Sequence, residues 1–206
     1  MLTGSEWAAL LLVATAMSFT PGPNTTLSAA LAANHGLRHA MPFVLGVPVG
    51  WGVIVVACAL GLGALLQTAP VLRGAVKWAG VGYLLWLAWR LFESARLAEA
   101  DRERFDVGFV QGALLQFVNI KAWILAWVVS AGWISRDVGA DGTEATLMRL
   151  AQVLPVMMAF ALASNLTYAS VGAALRQWLA SGRRLLVFNR VLAALLAGTA
   201  LWMARS

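Results

Sequence analysis

The sequence predicts an all-α integral membrane protein, with about six transmembrane helices arranged as two inverted three-helix repeats and with spans one and four interrupted. Three observations predict it. Hydrophobic residues make up 61% of the 206, against roughly 45–50% in ordinary soluble domains. Several windows exceed the roughly 20 apolar residues needed to cross a bilayer core. Two helix-breaking polar clusters, Pro21-Gly22-Pro23-Asn24 and Asn119-Ile120-Lys121, lie deep inside apolar stretches at matching places in the two halves of the chain. In lipid every backbone polar group must be satisfied internally, so a spanning helix breaks only where protein or a polar cavity covers the break. Paired breaks in corresponding spans point to a transporter's substrate site.

Residues 1–206 read as a single membrane domain. Span one is expected from about Glu6 to Ala33, interrupted at Pro21–Asn24. Span two runs from about Ala40 to Leu66 and span three from about Val71 to Phe92, completing a first repeat at 1–92. A charged connector, 93–106, carries Arg96, Arg102 and Arg104 among five acids. The second repeat, 107–206, holds span four from about Val107 to Ile134, interrupted at Asn119–Lys121. Span five follows from about Leu147 to Leu175, and span six from about Leu186 to Ala204. Pro48 and Pro155 fall in spans two and five, and Trp89 and Trp202 near the ends of spans three and six, as echoes of one repeat in the other.

The basic residues set the orientation. With the N-terminus outside, Arg38, Arg90, Arg96, Arg102, Arg104, Arg176, Arg183, Arg184 and Arg190 fall on the cytoplasmic side. Arg73, Lys77, Arg136, Arg149 and Arg205 then face outward. The excess inside favours N-out and C-out, with the 93–106 connector cytoplasmic. Three spans per half is an odd number, so the halves run in opposite senses across the bilayer. The net charge of +6 is spread between apolar spans with no single basic face, so nucleic acid is not an expected partner. No Lys or Arg precedes Arg38, the reverse of a signal peptide's basic start, so the first apolar run reads as a retained span. Cys58 is the only cysteine, which excludes a disulfide framework within one chain and a Cys-x-x-Cys redox pair.

Lys121 is the one Lys or Arg placed at membrane depth. It lies about 13 residues from either end of its span, roughly 20 Å at helical rise, beyond the reach of a snorkelling stem. An ammonium there is costly, by about 2.5–3.5 kcal/mol on insertion scales, and all nine acids map to termini or loops. The bland reading is a lysine bonded to backbone carbonyls at the broken helix; the functional one is a cation awaiting an anionic part of the substrate, and we favour the second. Pro21 and Pro23 remove two backbone donors and Gly22 lets the chain turn between them. Asn24 is then expected as the N-cap of a second half-helix whose exposed N–H groups favour a carboxylate. Asn119 and Asn165 join Lys121, Asn24, Pro21, Gly22 and Pro23 as candidate substrate-binding residues, while Gln111 and Gln116 read equally well as helix glue. Trp123 and Trp127 share a face near Lys121, for which ordinary packing suffices. Gly46-x-x-x-Gly50 suits close helix packing, and glycine-lined faces also allow a homodimer. His35 and His39 have metal-binding spacing, but Gly36 and the lack of nearby acids favour an interfacial loop. No metal site and no cofactor are expected.

These residues resemble the lysine-exporter superfamily, in its branch of homoserine/threonine-resistance exporters (LysE/RhtB). The family's first-span signature, Thr-Pro-Gly-Pro-Asn, is matched in full by Thr20 to Asn24. Asn34-His35-Gly36-Leu37-Arg38 is similar to its first loop, and Lys77 to Trp89 to its third span. Its span four usually reads Gln-Phe-x-Asn-Pro-Lys-Ala-Trp; Gln116 to Trp123 match with Ile120 in place of the proline. Without that proline the second break must rest on Asn119, Lys121 and packing. The resemblance implies export of an amino acid or derivative across the bacterial inner membrane. In that expectation Lys121 and the half-helix N-terminus hold the substrate carboxylate, and free carbonyls beside Pro21 and Asn119, with the two Asn side chains, take its ammonium. Divalent-metal export, as in related branches, would need hard ligands at depth. A membrane-embedded enzyme would need a nucleophile–base or acid pair beside Ser164 or Tyr168.

Overall fold

The computed structural model describes residues 2–61, 69–94, 107–135, 142–181 and 183–205. Among them are eight α-helices: α1 (Gly4–Phe19), α2 (Pro23–His35), α3 (Leu37–Ala59), α4 (Pro70–Ser94), α5 (Phe109–Val118), α6 (Ile120–Val129), α7 (Gly142–Leu179) and α8 (Arg184–Arg205). Helix α6 continues into a π-helical turn, Ser130–Ile134, closed by the Ser135 N–H on the Ser130 carbonyl at 2.8 Å. Most of the expected 93–106 connector lies outside the described residues.

Helices α3, α7 and α8 are each long and apolar enough to cross a membrane. The pair α5–α6, bent by 75° at a one-residue break, makes a fourth such span when taken as one. The remaining two expected spans correspond to the broken pair α1–α2 and to α4, which is 25 residues long but carries Lys77 and Arg90 among its tryptophans.

Local chemistry explains where these helices begin and end. Thr3 caps α1: the Thr3 N–H donates to the Glu6 carboxylate at 2.7 Å and the Glu6 N–H to the Thr3 hydroxyl at 3.3 Å, a reciprocal arrangement that satisfies two otherwise orphan donors. Between α2 and α3, Gly36 sits at φ +93°, a conformation that disfavours any side chain with a Cβ. The chain there reverses within one residue.

Helix α2 is the centre of the bundle. From Pro23 to Asn34 its residues are buried apart from half-buried Asn24. It packs mainly on α7, with α3 and α8 on its other sides, while α3 packs on α5 and α7, and α4 on α8. A helix enclosed all round needs small side chains, and Ala, Ser and Thr supply them here. Lipid tails are as apolar as leucine, so such helices associate through packing and interhelical hydrogen bonds.

The tightest contacts bring glycine against a neighbour's carbonyl. Gly46 and Gly50 of α3 face the carbonyls of Phe109 and Ala113 in α5, Gly172 of α7 faces Ala29, and Gly80 of α4 faces Val118. No methyl group fits at any of these crossings. The Gly46-x-x-x-Gly50 face is thus consumed inside the chain, and so is the argument from these glycines for a dimer.

Cross-chain ties sit at opposite ends of α7. Near its start, Arg149 pairs with Glu6 at 3.5 Å and donates to the Trp133 carbonyl, while the Trp133 indole donates to the Glu6 carbonyl at 2.9 Å. Beyond its other end, the amides of Asn34 and Asn189 exchange hydrogen bonds of 3.0 and 2.9 Å in a buried pair.

Gly50→Ala should lower the melting temperature in detergent by about 5 °C, corresponding to roughly 1–3 kcal/mol of overpacking. Gly82→Ala, on α4 with no atom within 4 Å of its new methyl, should leave the melting curve unchanged within error.

Candidate functional site

The two breaks meet at the centre of the molecule. Helix α1 ends at Phe19, and Thr20 leaves in an extended conformation. Gly22, also extended, is the true N-cap of α2, with Pro23 at its first position. Pro23 suits that place because its missing N–H would be an orphan anyway and its φ is already helical. Thr25 completes the cap, its hydroxyl accepting from the Gly22 N–H at 3.0 Å. Asn24 is therefore inside the first turn and does not cap the helix as the sequence suggests. Its side chain is released to reach across the molecule, where its amide and that of Gln116 exchange two hydrogen bonds of 3.0 Å each.

The second break forms without a proline. Asn119 adopts an extended conformation and caps α6, its side-chain oxygen accepting from the Lys121 N–H at 3.1 Å. The carbonyls orphaned at the end of α5 are taken up individually. Gln116 O accepts from the Asn119 N–H at 3.2 Å, and Phe117 O from the Trp123 indole at 2.8 Å. Gly80 lets α4 approach Val118 at the same point. Trp123, which ordinary packing seemed to explain, is part of what holds the chain bent. Trp51 adds a bond from its indole to the Ala122 carbonyl at 3.1 Å.

Lys121 lies at the junction of both breaks, half-buried, its Nζ donating to the Thr20 carbonyl at 3.1 Å. Tyr168 of α7 donates to the adjacent Phe19 carbonyl at 3.0 Å. The carbonyls beside Pro21 that were expected to be free are thus both occupied, one by the lysine itself. Among the described residues no carboxylate lies within ion-pair distance of Lys121. Helices α2 and α6 both begin here, so their N-terminal partial charges add to the ammonium in one place. This concentration of positive potential, inside a hydrocarbon-spanning bundle, favours an anion.

A cavity of about 60 Å³ opens beside the junction, room for a few water molecules. Its polar wall contains Lys121, Asn24, Gln116, Asn119, Ser164 and Asn165, with Gly22 and Pro23 at the first break; Val47, Trp51, Leu125 and Met157 form much of the apolar wall. Asn165 accepts from the Ser28 hydroxyl at 2.9 Å and donates to the Ala161 carbonyl at 2.8 Å. Six of the seven residues singled out in the sequence are therefore brought together around one cavity. The seventh, Pro21, is exposed and faces a second cavity on the other side of Lys121. Gln116, which read equally well as glue or as a site residue, lines the cavity; Ser28 and Tyr168 were not legible, because their partners lie far away in sequence, and the cap role of Thr25 shows only once Gly22 is known to be the N-cap. The rings of His35 and His39 lie 4.9 Å apart and tilted by 39°, and among the described residues no cluster of three or more His, Cys, Asp or Glu side chains could hold a metal ion.

The family model of the LysE type translocator matches residues 15–206. A cysteine/O-acetylserine efflux protein of Salmonella typhimurium is 35% identical over 121 residues, 59% of this chain and 60% of the relative. One of Shigella flexneri is 30% identical over 158 residues, 69% of this chain and 78% of the relative. One of Klebsiella pneumoniae is 32% identical over 120 residues, 58% of this chain and 61% of the relative. The chain thus spans about three fifths of the length of the Salmonella relatives it matches. No solved structure matches it.

The amide pair should behave as one unit in a double-mutant cycle. Asn24→Leu and Gln116→Leu should each destabilise the protein, and the double variant by less than their sum. The coupling should be about 0.5–2 kcal/mol by thermal unfolding in detergent.

Proposed function

The chain belongs to the LysE type translocator family, and we propose that it exports a small amino acid or amino-acid derivative across the bacterial inner membrane, through a site where its two broken helices meet. The family is one of translocators, which sets aside the enzyme reading. The relatives named as cysteine/O-acetylserine efflux proteins support a short, uncharged side chain in the substrate.

One observation carries the reading. An ammonium stands beside two helix N-termini, and among the described residues its hydrogen bond goes to one main-chain carbonyl. A free zwitterion complements that arrangement without net loss of hydrogen bonds. Its carboxylate takes Lys121 Nζ, and the Thr20 carbonyl that Lys121 releases accepts the substrate ammonium. Asn24, Gln116, Asn119 and Asn165 offer further polar contacts around the same cavity, and Pro21, Gly22 and Pro23 hold the break open. Loading therefore exchanges a bond that ties the end of α1 to the start of α6 for two bonds to cargo. The tie between the halves loosens when substrate is present, which is the coupling that alternating access needs.

The packing supports two inverted repeats, α1–α4 and α5–α8. Under that relation spans two and five are equivalent, as are three and six; α3 packs on α7 and α4 on α8, an arrangement that suits a pseudo-two-fold axis in the membrane plane. In this reading the arginine distribution puts both termini outside.

Lys121→Ala and Lys121→Gln should each cut efflux of radiolabelled cysteine or O-acetylserine from loaded vesicles by roughly 10- to 100-fold, the loss of one charge-assisted hydrogen bond. Amount inserted and melting temperature should stay close to wild type. Undiminished efflux from either variant would refute the assignment.

A further inference from the structure

Lys121 is a wall shared by two cavities. The small polar one lies on the side of Asn24, Gln116 and Asn165. On the other side is a cavity of about 420 Å³, bounded by Thr20, Pro21 and Lys121 and, across from them, by Gly198, Thr199 and Trp202 of α8. Thr20, Gly22, Pro23, Asn119 and Lys121 line both spaces, so the two adjoin at the break, where the 3.1 Å bond between Nζ and the Thr20 carbonyl lies.

The larger space has a direction. Its α8 wall runs from Ala194 to Met203, from the middle of the helix to near its end at Arg205. That is roughly 14 Å at helical rise, about half of a hydrocarbon core. It also has a chemistry. Most of its lining is apolar, but an ammonium and an exposed stretch of extended backbone form one wall, and hydrocarbon cannot solvate either. The α8 side is open, with Ala194, Leu195, Gly198 and Trp202 exposed, while the opposite wall offers an ammonium and bare backbone that a polar occupant satisfies and a lipid tail does not. At Gly198 an added Cβ meets no atom within 4 Å, so the space reaches the helix backbone itself.

We infer that the larger cavity is the second compartment of the translocation route, and that Lys121 is the moving partition between the two. The inference rests on the exporter reading of the site. Substrate loads against Lys121 from the small cavity; the side chain, freed from Thr20, carries the carboxylate through the break and delivers it along α8 toward that helix's C-terminal end. Gly198 is a glycine because the route passes over it.

The test uses the full chain in vesicles, in a Cys58→Ala background that removes the native thiol. Gly198→Phe should abolish efflux of radiolabelled cysteine or O-acetylserine to the level of empty vesicles, while Leu201→Phe, on the same helix but outside the cavity lining, exports normally. Gly198→Cys, modified with a bulky maleimide after reconstitution, should lose efflux on modification, which removes folding from the question. Thr199→Cys should react with a membrane-impermeant maleimide and be protected by O-acetylserine, which has no thiol of its own to consume the reagent. Normal efflux from Gly198→Phe or from modified Gly198→Cys overturns the inference, as does a Thr199→Cys that the reagent never reaches. If Lys121→Ala is inactive while those Gly198 variants transport, the route alone is wrong; if Lys121→Ala also transports, the site falls with it.

Discussion

The hydrogen bond from Lys121 to the Thr20 carbonyl is the constraint around which the molecule is arranged. It joins the start of α6 to the end of α1 across a distance of about one hundred residues in sequence. A cation at the beginning of a helix opposes that helix's dipole, and partial burial takes from it some of the solvation it would have in water. Both penalties fall on one side chain, and among the described residues its hydrogen-bond partner is a neutral carbonyl, with no carboxylate at ion-pair distance. Such an arrangement holds the ammonium without neutralising it.

Around that bond the backbone is made to break twice by different means. The first break is written in covalent geometry: Pro21 and Pro23 have no N–H to give, and Pro23 begins the next helix. The second is held by side chains. Asn119 caps one end, the Trp123 indole takes the carbonyl left at Phe117, and the absence of a side chain at Gly80 lets α4 press against Val118. Ile120 at the position where proline is usual in the resembling family therefore changes the agent of the bend and leaves a bend of 75°.

Much of this was legible in the sequence. Apolar length gave most helices to within about five residues, but span two, expected to reach Leu66, has its helix end at Ala59, and Leu66 itself lies outside the described residues. The breaks announced themselves because proline and asparagine are out of place in the middle of a span. The isolation of Lys121 also followed from counting acids. The identity of the α2 cap did not: Asn24 has the right chemistry, but Gly22 followed by Pro23 pre-empts the position two residues earlier, and Thr25 closes it from inside. Nor did the pairing of Asn24 with Gln116, since an amide declares a need for partners and not their address. Apolarity alone also leaves α1–α2 and α4 less certain as spans than α3, α7 and α8, because the residues that make the breaks and the interfacial belt are the ones that lower hydropathy.

The two ties at opposite ends of α7 differ in kind, and the difference has a consequence for how the protein senses its surroundings. Glu6 and Arg149 form an ionic contact with each side chain about one-fifth exposed; electrolyte in the adjoining aqueous phase weakens it. The Asn34–Asn189 pair is uncharged and sealed from solvent, so neither salt nor acidity reaches it. One tie thus answers to the electrolyte around it and the other does not. Raising the ionic strength would loosen the bundle where α1 meets α7 and leave the join of α2 with α8 as it is.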